Sequence, residues 1–245
     1  MSTLPGTTGR RRIYLMRHGH VDYFSPAAAQ DARAVVLTAQ GRMEAGAAGR
    51  AFCGVQFDRA ICSGLPRTRE TAEIVLSCAL NPPALEIAPD FEEIHAGRAP
   101  RASRAELVAT LAFQFACAGD DGATLYDGGE AFARAQARAI AALQRLLGAP
   151  HWKQILIVAH EGINRILLSW VAGAGLRATH AFEQDTGCIN MIDFDMVPGE
   201  DDSPGPEIAR ALIKAVNLTP YNYIKHGMNL TSVEAIFAAD ERASS

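Results

Sequence analysis

Two histidines in this 245-residue chain each follow directly on a short apolar run. His18 comes just after residues 13–16, and His160 comes just after residues 155–159. Continuous apolar runs of this length are typical of strands that are buried on both faces of a parallel sheet. Ligands of open α/β sheets bind beyond the carboxyl ends of such strands. We therefore expect both histidines at a functional site rather than in the packing of the core.

Arginines accompany these histidines. Arg17 immediately precedes His18, and a third predicted strand is followed by Ser63 and, one helical turn later, by Arg67. A guanidinium group is planar, permanently charged and shaped to donate to phosphate oxygens. Neutral imidazole can attack phosphorus to give a covalent intermediate, and backbone amides after His160 can face an anion if a helix begins there. These residue types together predict phosphoryl transfer with His18 as the nucleophile.

A general acid is also required, to protonate the oxygen of the leaving group. Glu92 and Glu93 lie next to a break in regular structure. Close to a bound phosphate and partly removed from water, a glutamate can have its pKa raised toward neutrality. Spacing alone does not choose between the two carboxylates, so both stay open on this argument.

The elements that must position these residues alternate along the chain. Strands are predicted at residues 13–16, 57–61, 85–87, 155–159, 188–194 and 208–216. Helices are predicted at residues 40–52, 66–78, 104–117, 130–147 and 164–171. This alternation indicates an α/β fold with a mostly parallel sheet. Residues 1–11 are predicted to form a loose tail, and residues 12–245 a single domain with an insertion at about 98–128.

Five blocks of the sequence resemble the histidine phosphatase superfamily, also called phosphoglycerate mutase-like. In order, they are Arg17-His18-Gly19 after an apolar strand, residues 63–72 of the form Ser-x-Leu-x-Arg-x-x-x-Thr-Ala, residues 91–97 similar to Leu-x-Glu-Ile-x-x-Gly, Gly129-Glu130, and residues 157–165 around the second histidine. Arg-His-Gly alone would be weak, because any tripeptide recurs by chance. Five blocks in family order are a specific signal.

The resemblance implies a doubly wound, mostly parallel sheet with helices on both faces and a helical insertion. It also implies an enzyme that needs neither metal nor other cofactor. By the resemblance, a phosphohistidine forms on His18, the phosphate is bound by Arg17, Arg67 and His160, and Glu93 is the proton donor and later the base for water. The expected activity is that of a histidine acid phosphatase-type phosphomonoesterase acting on a phosphorylated small molecule.

Three positions depart from the family pattern. Val21 and Phe24 occupy stretches where many members carry Thr and Asn, so some phosphate contacts are expected from His20 or from backbone amides. Glu161 stands where glycine is common after the second histidine. A carboxylate so close to the phosphate would oppose its binding unless the side chain points away.

Two rival activities remain open. A phosphoglycerate mutase-type enzyme would retain the phosphoryl group and exclude water beneath a lid, which residues 98–128 could form. A metal-dependent hydrolase could use His18, His20 and Asp22, because His-x-His-x-Asp spacing can gather zinc ligands. Arg17 would place a permanent positive charge beside that cation, and no second cluster with ligand spacing follows. We therefore expect no metal.

Composition argues against several other classes of protein. A net charge of -4 gives no support for a nucleic-acid partner. The five cysteines are odd in number and lack a Cys-x-x-Cys pair, which favours free thiols in a reducing compartment. No apolar stretch reaches the roughly 20 residues that span a bilayer, and the N-terminus lacks a signal-peptide core. We expect a cytoplasmic protein with no membrane partner. The sequence makes no prediction about oligomeric state.

Overall fold

The computed structural model describes residues 9–23, 31–98, 113–199 and 206–225. In this part of the chain a six-stranded sheet has the strand order β3-β2-β4-β1-β5-β6. Its strands are β1 (Gly9–Arg17), β2 (Arg59–Cys62), β3 (Leu85–Ile87), β4 (Gln154–Ala159), β5 (Ile189–Val197) and β6 (Glu207–Leu218). The first four are parallel, whereas β5 pairs antiparallel with β1 and β6 antiparallel with β5. The predicted α/β fold with a mostly parallel sheet is thus confirmed.

Helices cover both faces of this sheet. They are α1 (Ala39–Ala51), α2 (Pro66–Ser77), α3 (Phe132–Gly148) and α4 (Glu161–Val171), with short 3-10 helices at Pro89–Phe91 and Thr179–Ala181. Side chains alternate across a strand, so Ile13 and Leu15 pack with α3 and α4, while Tyr14 and Met16 pack with α1 and α2. Alternate residues of β1 therefore belong to two hydrophobic cores, one on each face of the sheet, as in a doubly wound fold. None of the described helices is long and apolar enough to cross a membrane.

The parallel strands β1, β2 and β4 end at the same edge of the sheet. In the register, Arg17 lies opposite Ala159 and Cys62 lies opposite Val158. The residues that follow these strand ends, His18, Ser63 and His160, therefore leave the sheet side by side. This edge is where the candidate functional residues meet.

The predicted starts of β1 and α4 were wrong. The tail assigned to residues 1–11 extends too far, because residues 9–11 belong to β1, where Arg10 forms two hydrogen bonds with Asp195 of β5. Helix α4 begins at Glu161 rather than Asn164, and His160 is its N-cap residue. An acidic residue in the first helical turn is favourable there, but the polar His-Glu-Gly sequence interrupts the apolar periodicity that marks the rest of the helix.

The insertion was predicted to contain a helix at residues 104–117. Residues 99–112 lie outside the described residues, and residues 113–119 form turns rather than the end of a helix. Short-range contacts such as the bond from the amide of Ala118 to the carbonyl of Phe115 close these turns. Phe24, one of the departures from the family pattern, also lies outside the described residues.

A close approach of two backbones positions α1 against the end of β1. An ideal Cβ on Gly41 would lie 2.2 Å from the carbonyl oxygen of His20, and one on Gly19 would lie 2.4 Å from the carbonyl oxygen of Gly41. Thr38 caps the helix at this point, because its hydroxyl accepts from the amide of Gly41 at 3.1 Å. Glycine at both positions allows the first turn of α1 to lie directly on the chain that follows His18.

We predict that Gly41→Ala lowers the free energy of unfolding by about 1–3 kcal/mol, since the new methyl group overpacks this contact. Gly46→Ala, on the same helix, is the matched control. Its Cβ would meet nothing closer than 3.5 Å, and replacing a helical glycine by alanine there should stabilise the protein by roughly 0.5–1 kcal/mol. Denaturant unfolding of both variants measures the difference. A loss of stability in both would contradict the role given to Gly41.

Candidate active site

The structure brings the two motif histidines together in the interior. The ring centroids of His18 and His160 are 5.2 Å apart with an interplanar angle of 67°. Both side chains are buried, as are those of Arg17 and Arg67. We call the space between these four side chains the histidine pocket. Its members come from the ends of β1 and β4 and from the first turn of α2.

His18 is held in a single tautomer by its neighbour. Its Nδ1 lies 2.8 Å from the carbonyl oxygen of Gly19. Because a carbonyl oxygen only accepts, Nδ1 carries the hydrogen and Nε2 carries the free lone pair. Burial, followed by the charges of Arg67 and Arg17, lowers the pKa of His18 well below its usual range. A neutral imidazole with a lone pair on Nε2 is the form that can act as a nucleophile.

The two arginines of the pocket each leave one donor without a protein partner. Nη1 of Arg17 donates to the carbonyl oxygen of Gln184 at 2.6 Å, and Nη1 of Arg67 donates to that of Ala32 at 3.3 Å. Nε of Arg17 and Nε of Arg67 are buried and make no hydrogen bond in the described structure. The ring of Tyr23 lies 5.9 Å from the Arg67 guanidinium. Both arginines can therefore still donate to an anion in the pocket.

His160 contacts Ser63, which in turn contacts Thr68 of α2. Its Nε2 lies 2.8 Å from the hydroxyl of Ser63, whereas its Nδ1 is buried without a hydrogen-bond partner among the described residues. Burial, and then the proximity of His18, Arg67 and Arg17, lower the pKa of His160 well below its usual range. Sequence reasoning placed Ser63 at a strand end but gave it no role. Its only signal was its place at the start of the block that contains Arg67.

Glu93, not Glu92, is the carboxylate that reaches the N-terminus of α4. Its Oε1 accepts from the amide of Ile94 at 2.9 Å and its Oε2 from the amide of Gly162 at 3.2 Å. Burial raises the pKa of Glu93 above its usual range; the two amides oppose this shift and the nearby charge of Glu161 adds to it. Glu92 instead forms an ion pair with Arg33 at 2.7 Å. The structure thus distinguishes Glu93 from Glu92 by their different partners, which the spacing in the sequence could not do.

The approach of Glu93 to α4 depends on a glycine. An ideal Cβ on Gly162 would lie 2.7 Å from Oε1 of Glu93 and 2.6 Å from Cδ1 of Ile94. A side chain at this position would push the acid away from the helix. Gly162 therefore allows Glu93 to approach α4 closely, as Gly41 allows α1 to approach the chain after His18.

Glu161 lies between two arginines rather than in open contact with the pocket. Its Oε2 is 3.0 Å from Nη1 of Arg17, and its Oε1 accepts from Nε and Nη2 of Arg165 at 3.0 and 2.8 Å. Arg165 in turn pairs with Glu183 at 2.9 Å. From the sequence, the charge of Glu161 was expected to oppose phosphate binding. In the structure this charge is paired with Arg17 and Arg165.

His20 is bound to α1. Its Nδ1 lies 2.9 Å from the hydroxyl of Thr38, and its backbone amide donates to Glu44 at 2.8 Å. Contact between His20 and a phosphate stays a prediction. The described residues contain no group of three or more His, Cys, Asp or Glu side chains placed to hold a metal ion, so the His18-x-His20-x-Asp22 string does not converge there.

A cavity of about 360 Å³ opens on the Glu93 side of the site. Its lining is mostly polar and includes Arg33, Glu92, Glu93, His95, Arg134 and Arg138. We call it the side cavity. Glu93 lines the side cavity and also accepts from the amide of Gly162 at the start of α4.

Comparison with known proteins shows the family of the chain. Residues 13–197 match the histidine phosphatase superfamily (branch 1), and the chain belongs to that family. Over 185 residues it is 29% identical to the adenosylcobalamin/alpha-ribazole phosphatase of Escherichia coli K12, covering 75% of this chain and 90% of the relative. The family and these relatives support a phosphatase or phosphoryl-transfer function.

Two solved structures show the same fold. One, from E. coli K-12 and described as an alpha-ribazole-5'-P phosphatase, has a TM-score of 0.63 and 25% identity, over 84% of this chain and 96% of that one. The other is a mycobacterial glucosyl-3-phosphoglycerate phosphatase, with a TM-score of 0.66 and 19% identity, over 85% of this chain and 99% of that one. At 19% identity the second likeness concerns the fold alone.

We predict that Glu161→Gln lowers the pKa of Glu93. A negative charge at Glu161 disfavours ionisation of the nearby carboxyl, so removing that charge lets Glu93 lose its proton at a lower pH. Glu183→Gln, which alters only the outer partner of Arg165, should leave the pKa of Glu93 nearly unchanged. Titration of the Glu93 carboxyl carbon by ¹³C NMR measures both. An equal shift in the two variants would contradict the direct influence of Glu161.

Proposed function

We propose that the chain is a metal-independent phosphatase of the histidine acid phosphatase type, which hydrolyses a phosphomonoester through a phosphohistidine on His18. The observation that carries the proposal is the set of buried polar atoms without a partner in the histidine pocket: Nε of Arg17, Nε of Arg67 and Nδ1 of His160. Leaving each of these groups unsatisfied costs about 1–3 kcal/mol. A tetrahedral anion would accept from the two guanidinium nitrogens, and one of its oxygens would lie within reach of the His160 ring.

In the first step the lone pair on Nε2 of His18 attacks phosphorus, and the bond between phosphorus and the leaving oxygen breaks. The hydrogen bond from Nδ1 to Gly19 holds the ring in place and stabilises the positive charge that develops on it. Arg17 and Arg67 neutralise charge on the transferring oxygens. Glu93, whose raised pKa favours its protonated form, donates its proton to the leaving oxygen.

In the second step water attacks phosphorus and the bond between phosphorus and Nε2 of His18 breaks. Glu93 is now a carboxylate and takes the proton from the attacking water, which restores both residues to their starting forms. The leaving group of the first step would occupy the side cavity, and its departure would let water reach the phosphohistidine. Hydrolysis therefore needs only groups that line the two spaces.

The names of the relatives favour hydrolysis over mutase-type transfer. The E. coli and Salmonella typhimurium relatives, at 29% and 27% identity, are both adenosylcobalamin/alpha-ribazole phosphatases. We therefore place alpha-ribazole 5'-phosphate first among the substrates to test. A mutase would have to keep the phosphohistidine away from water, whereas the curated relatives carry the names of phosphatases.

The proposal predicts that His18→Ala reduces turnover of p-nitrophenyl phosphate by roughly 10⁴-fold or more, because a nucleophile is lost. Rapid alkaline quenching of the parent with ³²P-labelled substrate should trap a labelled protein, and the variant should trap none. His180→Ala, at an exposed position, is the control and should behave like the parent. Turnover by His18→Ala at the parent rate, with the fold intact by circular dichroism, would refute the nucleophile.

A second prediction concerns the acid. Glu93→Gln should reduce kcat/KM for an alkyl phosphate by about 10²–10⁴-fold. The loss should be much smaller with p-nitrophenyl phosphate, since nitrophenolate leaves without needing a proton. Glu92→Gln is the matched control, because the carboxylate of Glu92 pairs with Arg33 while that of Glu93 accepts from the amide of Gly162. Equal losses with both substrates would show that Glu93 does not protonate the leaving group.

A further inference from the structure

The hydroxyl groups next to His160 form a chain of three contacts, and one assignment of hydrogens makes all three of them hydrogen bonds. Oγ1 of Thr68 donates to the carbonyl oxygen of Leu65 at 2.8 Å. A carbonyl has no hydrogen to give, so this bond uses the single hydroxyl hydrogen of Thr68. The contact of 2.9 Å between the hydroxyls of Ser63 and Thr68 must then be donated by Ser63.

The direction of this chain fixes the tautomer of His160. Ser63 has one hydroxyl hydrogen and gives it to Thr68, so it can only accept in its contact of 2.8 Å with Nε2 of His160. Nε2 therefore carries a hydrogen. Ser63, Thr68 and His160 are all fully buried, at 0% exposure, so solvent offers none of them an alternative partner.

Nδ1 of His160 is accordingly an acceptor in the neutral ring. It is the same atom that is buried without a partner. Protonating it would add a positive charge to a pocket that already holds cations, and the pKa of His160 is lowered by burial and by those neighbours. The charged and titratable groups that act on His160 are Arg17 at the end of β1, His18 after it, Arg67 from α2 and Arg138 from α3. Glu93, Glu161 and Tyr23 interact in turn with Arg17.

We propose that the histidine pocket takes its phosphate ester as the monoanion, whose P–OH group donates to Nδ1 of His160. Ser63 and Thr68 are then positioning residues that keep this acceptor free. The inference rests on the proposed phosphatase function and adds the protonation state of the substrate. A dianion would set an oxygen lone pair against the nitrogen lone pair, and would leave Nδ1 unsatisfied.

The proton also matters for the transfer step. The monoanion meets the lone pair of His18 with one negative charge fewer than the dianion would, and two arginine side chains face the remaining charge. The proton stays between Nδ1 and the phosphoryl oxygen while the bond from phosphorus to Nε2 forms and the ester bond breaks. Glu93 separately supplies the proton of the leaving group, so the two proton sites have distinct tasks.

The tautomer is tested first in the free protein. ¹⁵N NMR of histidine-labelled protein at neutral pH should show His160 as a neutral ring with its hydrogen on Nε2, assigned by the signals missing from His160→Gln. An imidazolium, or a ring with its hydrogen on Nδ1, would overturn the proposal.

The bound proton is tested with two probes of similar shape, methylphosphonate and difluoromethylphosphonate, of which the fluorinated one has the lower second pKa. Calorimetry on Glu93→Gln, which removes the other titrating acid, should show Kd rising about tenfold per pH unit above each probe's own second pKa. A dianion bound to a protonated His160 would give the same pH dependence, so ¹⁵N NMR of the complex must also show His160 as a neutral ring. An imidazolium in the complex, or coincident breakpoints for the two probes, would overturn the proposal. Failure of both probes to bind would refute the proposed function as well.

The role of the hydroxyl chain is tested with Thr68→Val against Thr68→Ser. Valine removes the acceptor of Ser63, which can then turn and donate to Nε2 of His160, so that Nδ1 gains a hydrogen and can bind the dianion. The pH slope of Kd should flatten with valine and persist with serine. Equal slopes in the two variants would overturn the assignment of Thr68.

Discussion

The parallel pairing of β1 with β4 is the constraint on which the site depends. Neighbouring strands of a sheet lie about 4.8 Å apart, and the two rings that follow these strand ends have their centroids 5.2 Å apart. Any residue pair at these positions would lie close together. The register that sets Arg17 opposite Ala159 thus places His18 beside His160, and the helices of both faces serve to bury that pair.

Burial of four basic side chains creates an electrostatic repulsion, which is reduced because both histidine rings are neutral. Two arginines and two histidines in one interior pocket repel further positive charge, and both rings are neutral because their pKa values are lowered. The carbonyl of Gly19 and the hydroxyl of Ser63 each accept one ring hydrogen. The pocket therefore presents lone pairs and guanidinium donors together, a combination suited to an anion that brings a hydrogen of its own.

Much of this arrangement could be predicted from the sequence because apolar runs and motif spacing are local signals. The strand at residues 85–87 and the helix beginning at Pro66 occur where they were predicted. The start of β1 was missed since the Arg10–Asp195 bonds join residues 185 positions apart. The contact between His160 and Ser63 joins residues 97 positions apart, so the sequence could not predict it. The ion pair of Glu161 with Arg165 could have been predicted, because residues spaced i, i+4 lie on the same face of a helix.

At the start of α4, the backbone and the side chains contact different partners. The amide of Gly162 contacts the acid, while the side chain of Glu161 turns toward Arg17 and Arg165. Substitution at position 161 can therefore alter the local charge without moving the acid. The charge that surrounds the acid and the position that the acid occupies are thus set by different atoms of the same helical turn.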